Sequence, residues 1–159
     1  MLNDLPAERA VLAGIYRYGA ETYYDVADIV DESSFTDDSN AVIFSCMKRV
    51  LETDDTVSLD IPTMLSAAKE MGLETFFNTQ EVQHLSSITK YPVLATNVRK
   101  FAAKVKKLEI ARMMYDQLEL TKEKYLEIKG DEPIAKILGL AEDSIMEVTG
   151  MVSGTDEAP

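Results

Sequence analysis

Residues 94–128 read LATNVRKFAAKVKKLEIARMMYDQLELTKEKYLEI, a stretch with no proline and no glycine. Both residues are costly inside a helix, so their absence over this length predicts a single helix of roughly 33 residues, about 50 Å long. Gly130 and Pro133 follow directly. Glycine suits the residue that closes a helix, and proline suits the first turn of the next. The second helix is predicted from Pro133 to about Val148 and is closed by Gly150. Two helices joined by so short a loop lie antiparallel, so residues 94–150 read as a helical hairpin.

The hairpin is apolar on more than one side. Val98, Phe101, Ala102, Val105 and Leu108 form one stripe of the long helix, while Ile110, Met113, Met114, Leu118 and Leu120 point in several directions. Ile134, Ile137, Leu138, Ala141, Ile145 and Val148 are predicted to share one side of the second helix, with Leu140 and Met146 off it. A two-helix hairpin buries one stripe per helix between its own members. The surplus predicts packing against a second copy or a partner. Ile110, Met113, Met114, Leu118, Leu120, Leu140 and Met146 are the candidate interface residues.

Toward the N-terminus the pattern shortens into a head, residues 1–93, of successive short helices. Asp4 can cap a first helix with Pro6 in its opening turn and Gly19 at its end. Residues 21–30 form a second, with Tyr23, Val26, Ala27 and Val30 inward. A polar turn over residues 31–38 holds Phe35, and Asp37 or Asp38 caps a third helix reaching about Leu51. Asp60 caps a fourth, which Gly72 stops. Asn78 followed by Glu81 has the spacing of a capping box and opens a fifth, reaching about Ile88. Tyr91-Pro92 then breaks the chain. Residues 151–159 read as a flexible tail or the start of a linker. The fold class is all-α: a compact multi-helix head followed by a long antiparallel hairpin.

Composition agrees. The chain has 159 residues, 46% hydrophobic, with only seven glycines and five prolines. That supplies a core and argues against a turn-rich β protein. No apolar run reaches the roughly 18 to 20 residues that span a bilayer. The N-terminus lacks the basic and apolar regions of a signal peptide. With a single cysteine, these features predict a cytoplasmic protein without membrane attachment. The net charge of −12 argues against coating DNA directly. Charge is uneven, however: residues 1–60 hold 13 acidic and 4 basic side chains, and residues 96–130 hold 9 basic and 5 acidic. In a helix Lys100, Lys104 and Lys107 share a face. With Arg99 they are candidates for contact with an acidic surface, although a solvated face accounts for them as well.

Little else suggests chemistry. Cys46 and His84 are the only residues of their types, so a structural zinc site of Cys and His ligands is excluded. Cys46 lies on the apolar stripe of the third helix and reads as a small buried hydrophobe. His84 reads as packed or hydrogen-bonded near the surface. Asp37-Asp38 and Asp54-Asp55 lack the spacing of a calcium loop and read as caps and turns. There is no G-x-x-x-x-G-K-[S/T] and no G-x-G-x-x-G, so nothing in the chain cradles a nucleotide phosphate. No catalytic, cofactor-binding or metal-ligating residue is assigned.

Several stretches, in order, resemble the N-terminal domain of DnaB-family replicative helicases. Leu5-Pro6-x-Glu8-x-Ala10-Val11-Leu12-x-Gly14 is similar to the family's P-x-x-E-A-E-x-x-V-L-G opening. Tyr24 to Val30, Phe35 with Ile43-Phe44, and Val57-Ser58-Leu59-Asp60 with Met64-Leu65 follow. Leu73, His84-Leu85 and Pro92 continue the series. Asn97 with Phe101-Ala102-x-x-Val105 is similar to the start of the family's hairpin, Arg112 is placed like the arginine of its long helix, and residues 138–148 are similar to its second hairpin helix. Departures are visible. Ser39-Asn40 stand where a histidine precedes Ile-Phe, Ser58 replaces an aspartate, and the Gly-Gly before a Tyr-Leu pair is missing, with His84 at the tyrosine. A divergent member is implied, such as one encoded by a phage or plasmid.

The resemblance implies the collar domain of a hexameric replicative helicase. Six copies form a ring in which hairpins pair between neighbours, and the domain docks primase, a helicase loader or both. DNA would be met only through the full-length ring. The fragment itself would not be an enzyme. ATP and magnesium would belong to a RecA-like ATPase domain outside this chain. A stand-alone helical adaptor or loader-type protein of the replication machinery is the other reading.

Overall fold

The computed structural model describes residues 2–153. Seven α-helices and two short 3-10 turns account for them, and there is no strand among the described residues. The chain forms two compact units, Asn3–Lys106 and Leu2 with residues 107–153. The long helix α6 (Ala95–Tyr125) contributes its first turns to one and the remainder to the other.

The head is organised around α1 (Leu5–Tyr18). Asp4 caps it by accepting the N–H of Ala7 at 3.0 Å, and Pro6 occupies the first turn, where no intrahelical partner is needed. Ala7, Ala10, Val11, Leu12, Ala13 and Ile15 are all buried. A helix covered on nearly every side needs small residues wherever neighbours approach closely, which accounts for the alanines. Asp4 also meets Lys104 at 2.6 Å. The Lys104 hydrogen bond, then the Ala7 N–H, hold the Asp4 carboxyl below its usual range. Because the folded value is the lower one, the cap contributes fully above the ordinary carboxylate range and is lost as pH falls through the depressed value. Asp4→Ala is expected to cost roughly 1 kcal/mol. The loss should appear in urea unfolding at pH 7 and shrink toward pH 3.

α2 (Ala20–Val26) is shorter than the periodicity predicts. The Val26 carbonyl accepts the N–H groups of both Ile29 and Val30, so the chain turns there instead of continuing. Val30 still reaches the core, but Ala27, predicted to face inward, is exposed. Asp37 caps α3 (Asp38–Thr53) through the Ser39 and Asn40 N–H groups, and Asp60 caps α4 (Ile61–Glu70). Asn78 caps α5 (Thr79–Thr89) by accepting the Glu81 N–H. The expected reciprocal half of that box is absent, since Glu81 instead accepts the hydroxyl of Ser39. α3 supplies the other side of the core with Ile43, Phe44, Cys46, Met47 and Leu51, and Leu85 and Ile88 of α5 complete it.

One buried polar chain crosses this core. Glu8, 1% exposed, accepts from the Thr36 N–H, the Thr36 hydroxyl at 2.6 Å and the Asn40 amide at 3.2 Å. The Asn40 carbonyl oxygen in turn lies 2.8 Å from Nε2 of His84. His84 therefore tethers α5 to α3, as its expected role near the surface suggests. Cys46 is fully buried, and burial pushes its thiol up to about 11, which keeps it inert.

In the second unit the latter part of α6 faces α7 (Ile134–Ser153). Thr121 bonds Ser144, and the Tyr125 hydroxyl donates to the Ile137 carbonyl at 2.6 Å. The residue numbers rise on one helix as they fall on the other, so the pair is antiparallel. The connecting loop turns at Gly130, whose φ of 99° suits glycine. Its backbone N–H groups at Lys129 and Gly130 are held by the Glu132 carboxylate. Gly150 does not end α7, which runs on through Met151 to Ser153. A glycine mid-helix lowers stability without breaking the hydrogen-bond ladder. Of the tail expected at 151–159, residues 154–159 lie outside the described residues.

Candidate functional site

The seam between α6 and α7 decides which hairpin side chains are hidden. Ser144 and Val148 are buried and Ile137, Leu140 and Val152 half-buried, a line recurring every three or four residues along α7. On α6 the matching line is Ile110, Met114, Gln117 and Thr121, half-buried to buried. The seam is pinned by a polar pair, Thr121 and Ser144, and this sets the rotation of α7. It differs from the predicted inner side: Ile134, Leu138 and Ile145 are 74%, 58% and 56% exposed. At 100° per residue those three fall within roughly 40° of one another, with Ala141 between them. They form a continuous apolar stripe on the surface of α7.

The candidate interface residues divide accordingly. Ile110, Met113, Met114 and Leu140 are half-buried within the chain, whereas Leu118, Leu120 and Met146 are exposed. Tyr115 joins Leu118 on one side of α6 at 60% exposure, and Leu126, just past the end of that helix, is 78% exposed. Leu126, Ile134, Leu138 and Ile145 are the surface residues the sequence reading missed. The signal that could have found them is the Thr–Ser pair, because two small hydroxyl residues permit close helix approach and dictate which neighbours are excluded.

Two of the four residues of the basic cluster are answered inside the head. Arg99 donates to the Asp25 carbonyl and lies 3.6 and 3.5 Å from the Asp25 and Asp28 carboxylates; Lys104 pairs with Asp4. Lys100 and Lys107 are exposed. Exposed pairs of this kind contribute little stability, but they occupy the charges. Arg112 of the second unit donates to the Leu2 carbonyl at 2.6 Å. Among the described residues no group of His, Cys, Asp or Glu could hold a metal ion, and no helix is long and apolar enough to cross a membrane.

The described residues form an all-helical head unit and a hairpin unit whose α7 carries an exposed apolar stripe. A family profile described as the DnaB-like helicase N terminal domain matches residues 1–107, and the chain belongs to that family. The match ends where the head unit ends. Among solved structures the chain is similar to the N-terminal domain of DnaB helicase from Mycobacterium tuberculosis. The TM-score is 0.71 at 16% identity, over 91% of this chain and 97% of that one. The likeness extends to the fold beyond residue 107. Comparison with curated proteins gives no match.

Proposed function

We propose that this chain acts as a collar domain of a hexameric replicative DNA helicase, its hairpin clasping the hairpin of a second copy and the assembled collar docking primase, a loader or both. The uncovered stripe Ile134–Leu138–Ile145 carries the reading. A water-exposed aliphatic stripe costs about 25 cal/mol for each Å² that a partner could cover, and a helix with a second apolar face has use for it only in an assembly. Family membership supports a helicase role for the domain. The reading gives the domain no cofactor of its own; ATP and magnesium belong to the motor it would serve in the cytoplasm.

Self-association should depend on concentration. Replacing Leu138 and Ile145 together with glutamate is expected to weaken it at least a hundredfold, since each buried aliphatic side chain is worth about 1.5–3 kcal/mol. Sedimentation equilibrium reads the association, and urea unfolding of the head, expected unchanged, shows that folding is intact. A wild-type chain that remains monomeric at high concentration would refute the reading.

A further inference from the structure

The groove between α1 and the start of α6 is a docking site for peptide: we propose that it takes a short segment of a partner protein in which one carboxylate stands beside an aliphatic or aromatic side chain. It lies wholly within the head unit. The hairpin pairing proposed above uses none of its residues, so the two readings stand independently. Pro6, Ala10 and Arg17 follow one line of α1, at spacings of four and seven residues, and Asn97 and Phe101 are four apart on α6. The groove between these lines has a volume of about 420 Å³, within the roughly 300–1,000 Å³ that ligand sites occupy. Ala10 and Val93, both buried, are its floor, and Tyr18, Tyr91, Leu94 and Phe101 are its walls. The Tyr18 hydroxyl donates to the Val93 carbonyl at 2.8 Å, which fixes that ring, so this wall stands before a ligand arrives. Leu94, 67% exposed, offers an aliphatic side chain at the rim.

Charge identifies the occupant. Among the described residues that line the groove, Arg17 is the one that carries a charge. Lys48, Arg49, Arg99 and Lys104 each meet a carboxylate of the head, but no described residue pairs with Arg17 or bonds the Asn97 side-chain amide. A guanidinium is a fixed cation whose planar fork matches a carboxylate. The amide carries a donor and an acceptor together, the complement of a peptide group's C=O and N–H. One carboxylate, one peptide group and an apolar side chain therefore satisfy what the groove presents. Nucleic acid does not: each nucleotide brings a phosphate, and a single arginine in a chain of net charge −12 answers one of them.

The test pans a phage-displayed random peptide library against the full chain and titrates the selected peptides by fluorescence anisotropy. Enriched sequences are expected to combine an aspartate or glutamate with a leucine, isoleucine, phenylalanine or tyrosine. Arg17→Glu should weaken their binding at least tenfold, and a peptide whose acidic residue is changed to lysine should regain at least tenfold on that variant. Leu94→Ser, at an exposed position, should weaken binding at least fivefold. Urea unfolding of both variants is expected to match wild type. The Leu138→Glu/Ile145→Glu chain should bind peptide as wild type does, which separates this site from the hairpin. The proposal is overturned if no peptide is enriched, or if enriched peptides bind Arg17→Glu unchanged. A single-stranded oligothymidylate that binds more tightly than the peptides, and loses that binding in Arg17→Glu, would overturn it in favour of nucleic acid. Self-association that weakens tenfold in Arg17→Glu would overturn it in favour of a second copy in the groove.

Discussion

Replacing Glu8 with alanine is expected to destabilise the head by about 3–5 kcal/mol, a large fraction of what holds a domain of this size together. The carboxylate is 1% exposed and accepts three donors: the Thr36 N–H, the Thr36 hydroxyl and the Asn40 amide. Removing it leaves these donors, half-buried at Thr36 and buried at Asn40, without their acceptor beside a void. The asymmetry of hydrogen-bond energetics makes that worse than never having had the network. The damage also propagates, because Asn40 would lose the bond that orients its amide toward His84. Glu8→Gln keeps the volume yet should recover little, since its NH₂ would face a donor. Urea unfolding of both variants separates the two causes. If glutamine restored most of the stability, packing rather than acceptor capacity would be what Glu8 provides.

The second large effect is expected at Gly14. A Cβ there would lie well inside van der Waals contact of Val98 Cγ2, with Cγ1 at 3.0 Å. Val98 is β-branched, 1% exposed and stiff at χ1, so it cannot swing aside. Overpacking of this kind costs about 1–3 kcal/mol. The roughly 1 kcal/mol that alanine gains in helix propensity offsets only part of it. Gly14→Ala should therefore destabilise, and Gly14→Leu should do so by about 3 kcal/mol or more. Val98→Ala makes room, so the double variant Gly14→Ala/Val98→Ala should be at least about 1 kcal/mol more stable than the sum of the single changes predicts. Additive effects in urea unfolding would show that the close approach of α1 and α6 is not what requires glycine.

Both predictions concern features half-visible in the sequence. Glu8 lies in the stretch that resembles the family's opening, but composition and spacing mark it only as a first-turn acid near a helix N-terminus. Its partners are 28 and 32 residues away, and a charged residue with no visible counterpart reads by default as solvated. Gly14 fits the helical periodicity of α1, yet that periodicity is silent about which neighbour demands the missing side chain.

Helix existence, by contrast, is a local property. The caps at Asp4, Asp37, Asp60 and Asn78 and the unbroken run of α6 follow from hydrogen-bond needs and propensities within a few residues, so the sequence by itself determined the all-α class and the order of its elements. Where neighbours outside the element take part, local reading failed. α2 stops early because Val26 offers its carbonyl to a turn, and Glu81 turns from its own cap to Ser39 of α3. Only the tertiary structure decided which side of α7 faces α6. Thr121 and Ser144, two polar residues that a hydrophobic pattern passes over, bring the helices together and turn Ile134, Leu138 and Ile145 outward. Rotation about a helix axis changes no local hydrogen bond and so leaves no local trace. It is fixed by what the opposite helix presents, and with it the face left for a partner.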